Sequence, residues 1–169
     1  HLTNILLHCA NGVLFYLVIV AFLRRAAEPG LRMHLAAATG ALLFAIHPLR
    51  AESVAWITER RDVVSGLFFL LSVWAYLRHA ESPAPPGLKW LWVSLACFVL
   101  SLLSKAMGMT LFFVLAVLDV YPLRRLDLRR PDRRVLLEKL PFAVLFVAML
   151  LLTRWTQREA TALYTADMY

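Results

Sequence analysis

Val63-Val64-Ser65-Gly66-Leu67-Phe68-Phe69-Leu70-Leu71-Ser72-Val73-Trp74 is apolar nearly all the way round a helical wheel. A helix on the surface of a water-soluble bundle carries a polar face at a period of 3.6, and this run lacks one. Phe142–Leu152 reads the same way. With 61% hydrophobic residues in 169 and a mean hydropathy of +0.68, the chain lies above the soluble range. The fold class that follows is an all-α integral membrane protein, a multi-pass bundle of about six transmembrane helices.

Working outward from Val63, six apolar segments can be drawn: Leu2–Leu23, Leu31–Ile46, Val63–Leu77, Leu88–Leu103, Ala106–Val120 and Leu140–Thr153. Several fall short of the roughly 20 residues a span requires, so their polar flanks must sit at headgroup depth. The connections alternate in charge. Arg24, Arg25 and Arg32 mark the first, Arg78 and Lys89 the third, and Arg124, Arg125, Arg129, Arg130, Arg133, Arg134 and Lys139 the fifth. The positive-inside rule makes these cytoplasmic and puts the second and fourth connections outside, with the tail after Thr153. The same rule accounts for the net charge of +7 without nucleic acid as a partner. Cys9 and Cys97 lie in apolar runs without metal spacing and read as small core residues.

The second connection is the most polar. His47 to Asp62 holds three acids, three arginines and a histidine. Read as a short helix after the Pro48 turn, it puts Glu52, Trp56, Glu59 and Val63 on one face. Dense charge beside hydrocarbon is a candidate functional site; a loop folded by its own ion pairs is the plainer alternative. His1, Asn4, His8 and Asn11 form a polar stripe that must face the bundle interior, where interhelical hydrogen bonding is the first explanation. Ser94, Ser101 and Lys105 share another face. Lys105 at an outer break in the chain suggests a local anion or snorkelling to the interface. Asp119, closing its segment inside, reads as the partner of a loop arginine.

Five runs together resemble the membrane region of the transmembrane and tetratricopeptide-repeat proteins: His1-Leu2-Thr3-Asn4-Ile5-Leu6-Leu7-His8, His47-Pro48-Leu49-Arg50-Ala51-Glu52-Ser53-Val54-Ala55-Trp56, Glu59-Arg60-Arg61-Asp62-Val63, Leu103-Ser104-Lys105-Ala106-Met107-Gly108-Met109-Thr110 and Leu118-Asp119-Val120-Tyr121-Pro122-Leu123. The resemblance covers nearly the whole chain and suggests a bacterial relative, in an inner membrane with its site on the periplasmic side. It implies a GT-C type glycosyltransferase architecture that takes a sugar from a polyprenyl-phosphate carrier, with protein Ser/Thr hydroxyls as acceptor. The first outer loop, expected upstream, and a repeat domain, expected downstream, are not in the chain. It therefore reads as the central part of a larger membrane enzyme.

Glycosyl transfer from a phosphate leaving group needs a base for the acceptor proton and cations for the phosphate. Glu52 is the candidate acid nearest the chemistry, with His47 positioning it. Arg60, Arg61 and Lys105 are candidates for the lipid phosphate, with Asp62 as a neutralising partner. Trp56 suits sugar or prenyl stacking, or simple interfacial anchoring. No metal-ligand set is visible, and divalent-metal dependence stays open. The rival classes are a noncatalytic membrane anchor for a repeat domain and a transporter; the latter would place its charges at mid-span.

Overall fold

The computed structural model describes residues 1–25, 28–48, 60–81, 86–126 and 132–166. Among these residues there is no strand. The helices are α1 (Leu2–Leu23), α2 (Leu31–Ile46), α3 (Arg60–Glu81), α4 (Pro86–Ser104), α5 (Leu111–Val120) and α6 (Arg133–Ala166), with a 3₁₀ turn (Ala106–Thr110) before α5.

Among the described residues, three stretches are long and apolar enough to cross a membrane: Leu2–Leu23, Arg60–Glu81 and Arg133–Arg158. At 1.5 Å per residue the 22 residues of α1 span about 33 Å, the thickness of the hydrocarbon core. Leu31–Ile46, Leu88–Ser104 and Ala106–Val120 are apolar but shorter. The expectation of about six transmembrane helices is thus refined to three of spanning length and three shorter ones. α1 and α2 have the limits expected of them. α3 extends past its apolar run at both ends, and Arg78 and His79 in its last turn suit the negative end of the helix dipole. α6 departs most from expectation, running 34 residues instead of stopping at Thr153. Asp132 starts it, its Oδ1 accepting from the Arg134 N–H at 2.9 Å.

Small polar side chains turn inward beside the apolar core, while large apolar side chains also cover the outside. Asn4, Ser72, Ser94, Ser101 and Asp119 are fully buried, whereas Leu6, Val13, Leu42, Leu103 and Leu151 are exposed. Water would reverse this arrangement; hydrocarbon favours it, because only polar groups gain by turning away from lipid. Cys9 is exposed and is no core residue, since the inward face of α1 is taken by Asn4 and Asn11.

α3 and α4 are antiparallel neighbours joined by a serine zipper. Ser65 and Ser72 on α3 meet Ser101 and Ser94 on α4, and each hydroxyl donates to the carbonyl of its opposite number at 2.7–3.1 Å. The seven-residue spacing on both helices keeps the contacts on one seam, and small side chains let the backbones approach. Below them Tyr76, Phe98, Leu111, Leu115 and Phe142 form the apolar centre, with Phe98 stacked on Phe142 at 5.6 Å.

Ion pairs identify the two ends of the bundle. Arg25 on the end of α1 meets Glu81 on the end of α3 at 3.6 Å. At the opposite end Lys105, following α4, pairs with Asp62 at the start of α3. The arginine-rich connections therefore share one end, as the loop-charge alternation requires.

Candidate functional site

The end carrying Asp62 and Lys105 holds a half-open cavity of about 340 Å³ between α1, the end of α2, α3 and the Lys105–Thr110 turn. The stripe on α1 builds one wall. Asn4 accepts a hydrogen bond from Arg60 Nε at 3.2 Å, which ties α1 to the first turn of α3. His8 Nε2 lies 3.0 Å from the Ala45 carbonyl and so carries the donated proton. Asn11 Nδ2 donates to the Val63 carbonyl at 3.0 Å. Its Oδ1, buried in a residue that lines the cavity, has no hydrogen-bond partner. An unsatisfied buried carbonyl oxygen costs about 1–3 kcal/mol, so an acceptor stands available to a bound hydroxyl. Phe15, Phe44 and Phe69 supply the apolar wall, Phe15 stacking on Phe44 at 4.7 Å.

The floor depends on Gly108. The turn folds back onto α4 so closely that a Cβ at Gly108 would stand 2.7 Å from Ser101 Oγ and 3.1 Å from the Ser101 carbonyl carbon. Gly108→Ala should therefore split the Ser65–Ser101 pair and cost about 1–3 kcal/mol. Gly30, with nothing within 4 Å of its notional Cβ, is the control. Thermal unfolding of Gly108→Ala beside Gly30→Ala tests this; equal midpoints would refute the close approach.

The sequence candidates are distributed as follows. Asp62 and Lys105 come together at the cavity, so the lysine is a partner of Asp62. Arg60 and Arg61 are exposed at the start of α3, and His47 is exposed where α2 ends. Glu52, Trp56 and Glu59 lie outside the described residues, as does the helical face proposed for them. That segment leaves α2 just beyond Phe44 and rejoins the chain just before Asp62, two residues that both line the cavity. Among the described residues, no three His, Cys, Asp or Glu side chains converge as a metal set would.

A second charged cluster, which sequence reading only touched, lies at the other end. Asp119 is fully buried; Tyr76 donates to it at 2.8 Å, and Lys139 stands 3.0 Å away. The loop arginine expected as its partner is Arg125, but at 3.8 Å it is the more distant cation. Arg125 instead binds Glu138 at 2.6 Å, and Glu138 also receives His79 at 3.1 Å. Burial works against the Arg125 charge, yet the acidic groups facing it, Tyr76, Glu138 and Asp119, push its pKa up. Acids and bases pair with one another here, so the cluster clamps α3, α5 and α6 together. An acid closing an apolar segment, with an adjacent acid and base opening the next helix, was the available sequence signal.

The chain is 34% identical over its whole length to the protein O-mannosyl-transferase TMTC2 of Mus musculus. It is 36% identical over 82% of its length to the Xenopus laevis protein of that name, and 34% identical over 80% to the protein O-mannosyl-transferase TMTC4 of Mus musculus. It covers 19%, 16% and 20% of these proteins respectively, so the chain spans about a fifth or less of the curated relatives it matches. No family model and no solved structure matches it.

Proposed function

Because the chain belongs to the transmembrane and tetratricopeptide-repeat family, the family of those O-mannosyl-transferases, we propose that it forms the membrane core of a glycosyltransferase that moves a sugar from a polyprenyl-phosphate carrier to protein hydroxyls. The observation that carries this reading is the cavity, whose lining is amphipathic in the way such a donor is. Asp62, Lys105 and Asn11 suit a sugar phosphate, and Phe15, Phe44 and Phe69 suit the first prenyl units.

In this scheme the acceptor oxygen attacks the anomeric carbon and the bond from that carbon to the phosphate oxygen breaks. The acceptor proton passes to a carboxylate, for which Glu52 is the candidate, either directly or by orienting another base, with His47 assigned to position it. Lys105, with Arg60 and Arg61 from the first turn of α3, takes up the charge on the departing polyprenyl phosphate, and Asp62 holds the lysine in place. Trp56 lies on the same connecting segment and is assigned to stacking or to interfacial anchoring.

Removing the lysine tests the site. Lys105→Gln should weaken binding of a polyprenyl-phosphate sugar by about 2 kcal/mol, or roughly 30-fold, while Lys105→Arg retains most of the affinity. The measurement is equilibrium binding of a radiolabelled donor to membranes bearing the full-length gene product. Unchanged affinity in both Lys105→Gln and Arg60→Gln would remove the phosphate from this cavity.

A further inference from the structure

At the arginine-rich end, a small cavity of about 90 Å³ opens between the last turns of α1 and α3. Leu17, Val20 and Ala21 wall it on α1, Arg24 and Arg78 stand over it, and among the described residues Glu81 is the one acid lining it. Glu81 is already shared between Arg25 Nη2 at 3.6 Å and Arg78 Nη1 at 4.0 Å. Arg24 has no ionic partner among the described residues, so three guanidiniums gather around one carboxylate. Arg25, which pairs with Glu81 next to the cavity, has its Nη1 buried without a hydrogen-bond acceptor among the described residues. Such a donor is costly to leave unmet, and the local excess of positive charge favours an anion over a second neutral group. Trp74 braces the rim, lying 5.2 Å beneath the Arg78 guanidinium and meeting Trp90 edge-on at 5.4 Å.

We propose that this cavity binds the phosphate headgroup of an anionic phospholipid and so ties α1 to α3. Forked guanidiniums match a phosphodiester, which can accept from two arginines at once. The hydrocarbon side of the argument decides between a lipid and free phosphate. The apolar wall continues from Ala21 and Leu17 to the exposed Val13 on α1, a helix of membrane-spanning length, so acyl chains have a surface to follow from the headgroup. A free phosphate would use the arginines and leave that wall bare. The site is at the opposite end from the proposed donor cavity and does not depend on that assignment.

The test counts lipids bound to the purified full-length gene product by native mass spectrometry, after titration with phosphatidylglycerol, phosphatidylcholine or inorganic phosphate. Phosphatidylglycerol should be retained in preference to phosphatidylcholine. Arg24→Gln with Arg78→Gln should weaken its retention by about tenfold or more, given the contribution of each basic group near an anionic headgroup. Arg32→Gln with Arg133→Gln removes equal charge from the same end away from the cavity and should leave retention near the parent. If the first pair aggregates, Arg24→Lys with Arg78→Lys carries the test, since it keeps the charge, loses the fork and should lose part of the retention. Equal losses in the two glutamine pairs, full retention in the lysine pair, or no preference for phosphatidylglycerol would overturn the site. Displacement of the lipid by inorganic phosphate, beyond that caused by chloride at equal ionic strength, would overturn the assignment to lipid.

Discussion

Asp119→Asn should lower stability by about 3–5 kcal/mol, the cost of removing one partner from a buried ion pair. Asp119 is fully buried and receives both the Tyr76 hydroxyl and Lys139, whose ammonium also lies 4.0 Å from the centre of the Tyr76 ring. Neutralising the acid strands that ammonium between α3, α5 and α6, where water cannot reach it cheaply. The double variant Asp119→Leu with Lys139→Met removes both charges and should recover much of the loss, because an apolar pair of similar volume often replaces a buried ion pair without penalty. Unfolding midpoints of the parent, both single variants and the double variant in one detergent provide the measurement. A fall below about 1 kcal/mol in Asp119→Asn would mean that the pair is solvated and does not clamp the helices.

The largest effect on activity is expected at Glu52. Glu52→Gln keeps the shape and much of the hydrogen bonding of the side chain but removes its charge and its capacity to accept a proton. General acid–base contributions run to about 10²–10⁴ in rate, so sugar transfer by the full-length gene product should fall at least a hundredfold. The unfolding midpoint and donor affinity should stay near the parent, which separates this result from the loss of binding expected at Lys105. Chain order motivates the prediction: the segment joins α2, on which Phe44 lines the cavity, to α3, on which Asp62 does. Parental transfer rates in Glu52→Gln would assign Glu52 to the structure of the loop and return the search for the base to other acids.

Much of the fold was legible because the cost of placing a residue in hydrocarbon is set residue by residue. α1 and α2 end where expected since Arg24, Gly30 and His47-Pro48 interrupt hydrocarbon abruptly. α6 was underestimated for the converse reason. Apolarity marks where a helix meets lipid, whereas backbone hydrogen bonding continues past Thr153 through polar residues and begins seven residues before Leu140 at an Asp132 cap. The inward direction of Asn4, His8 and Asn11 could be read from their spacing, since only one face of α1 escapes lipid. That Arg60, Ala45 and Val63 would be their partners could not.

The sequence by itself determined that the chain is helical and apolar outside, that its arginines gather at one end, and which side chains must turn inward. These are properties of single residues and of helical period, and they need no knowledge of neighbours. Only the tertiary structure decided that Asp62 meets Lys105, that Ser65 and Ser72 interlock with Ser101 and Ser94, and that Tyr76 reaches Asp119 across 43 positions. Such pairings depend on which helices become neighbours and in what register. Charges and hydroxyls are interchangeable in composition, and only their distances after packing distinguish an amphipathic cavity from a clamp that holds three helices.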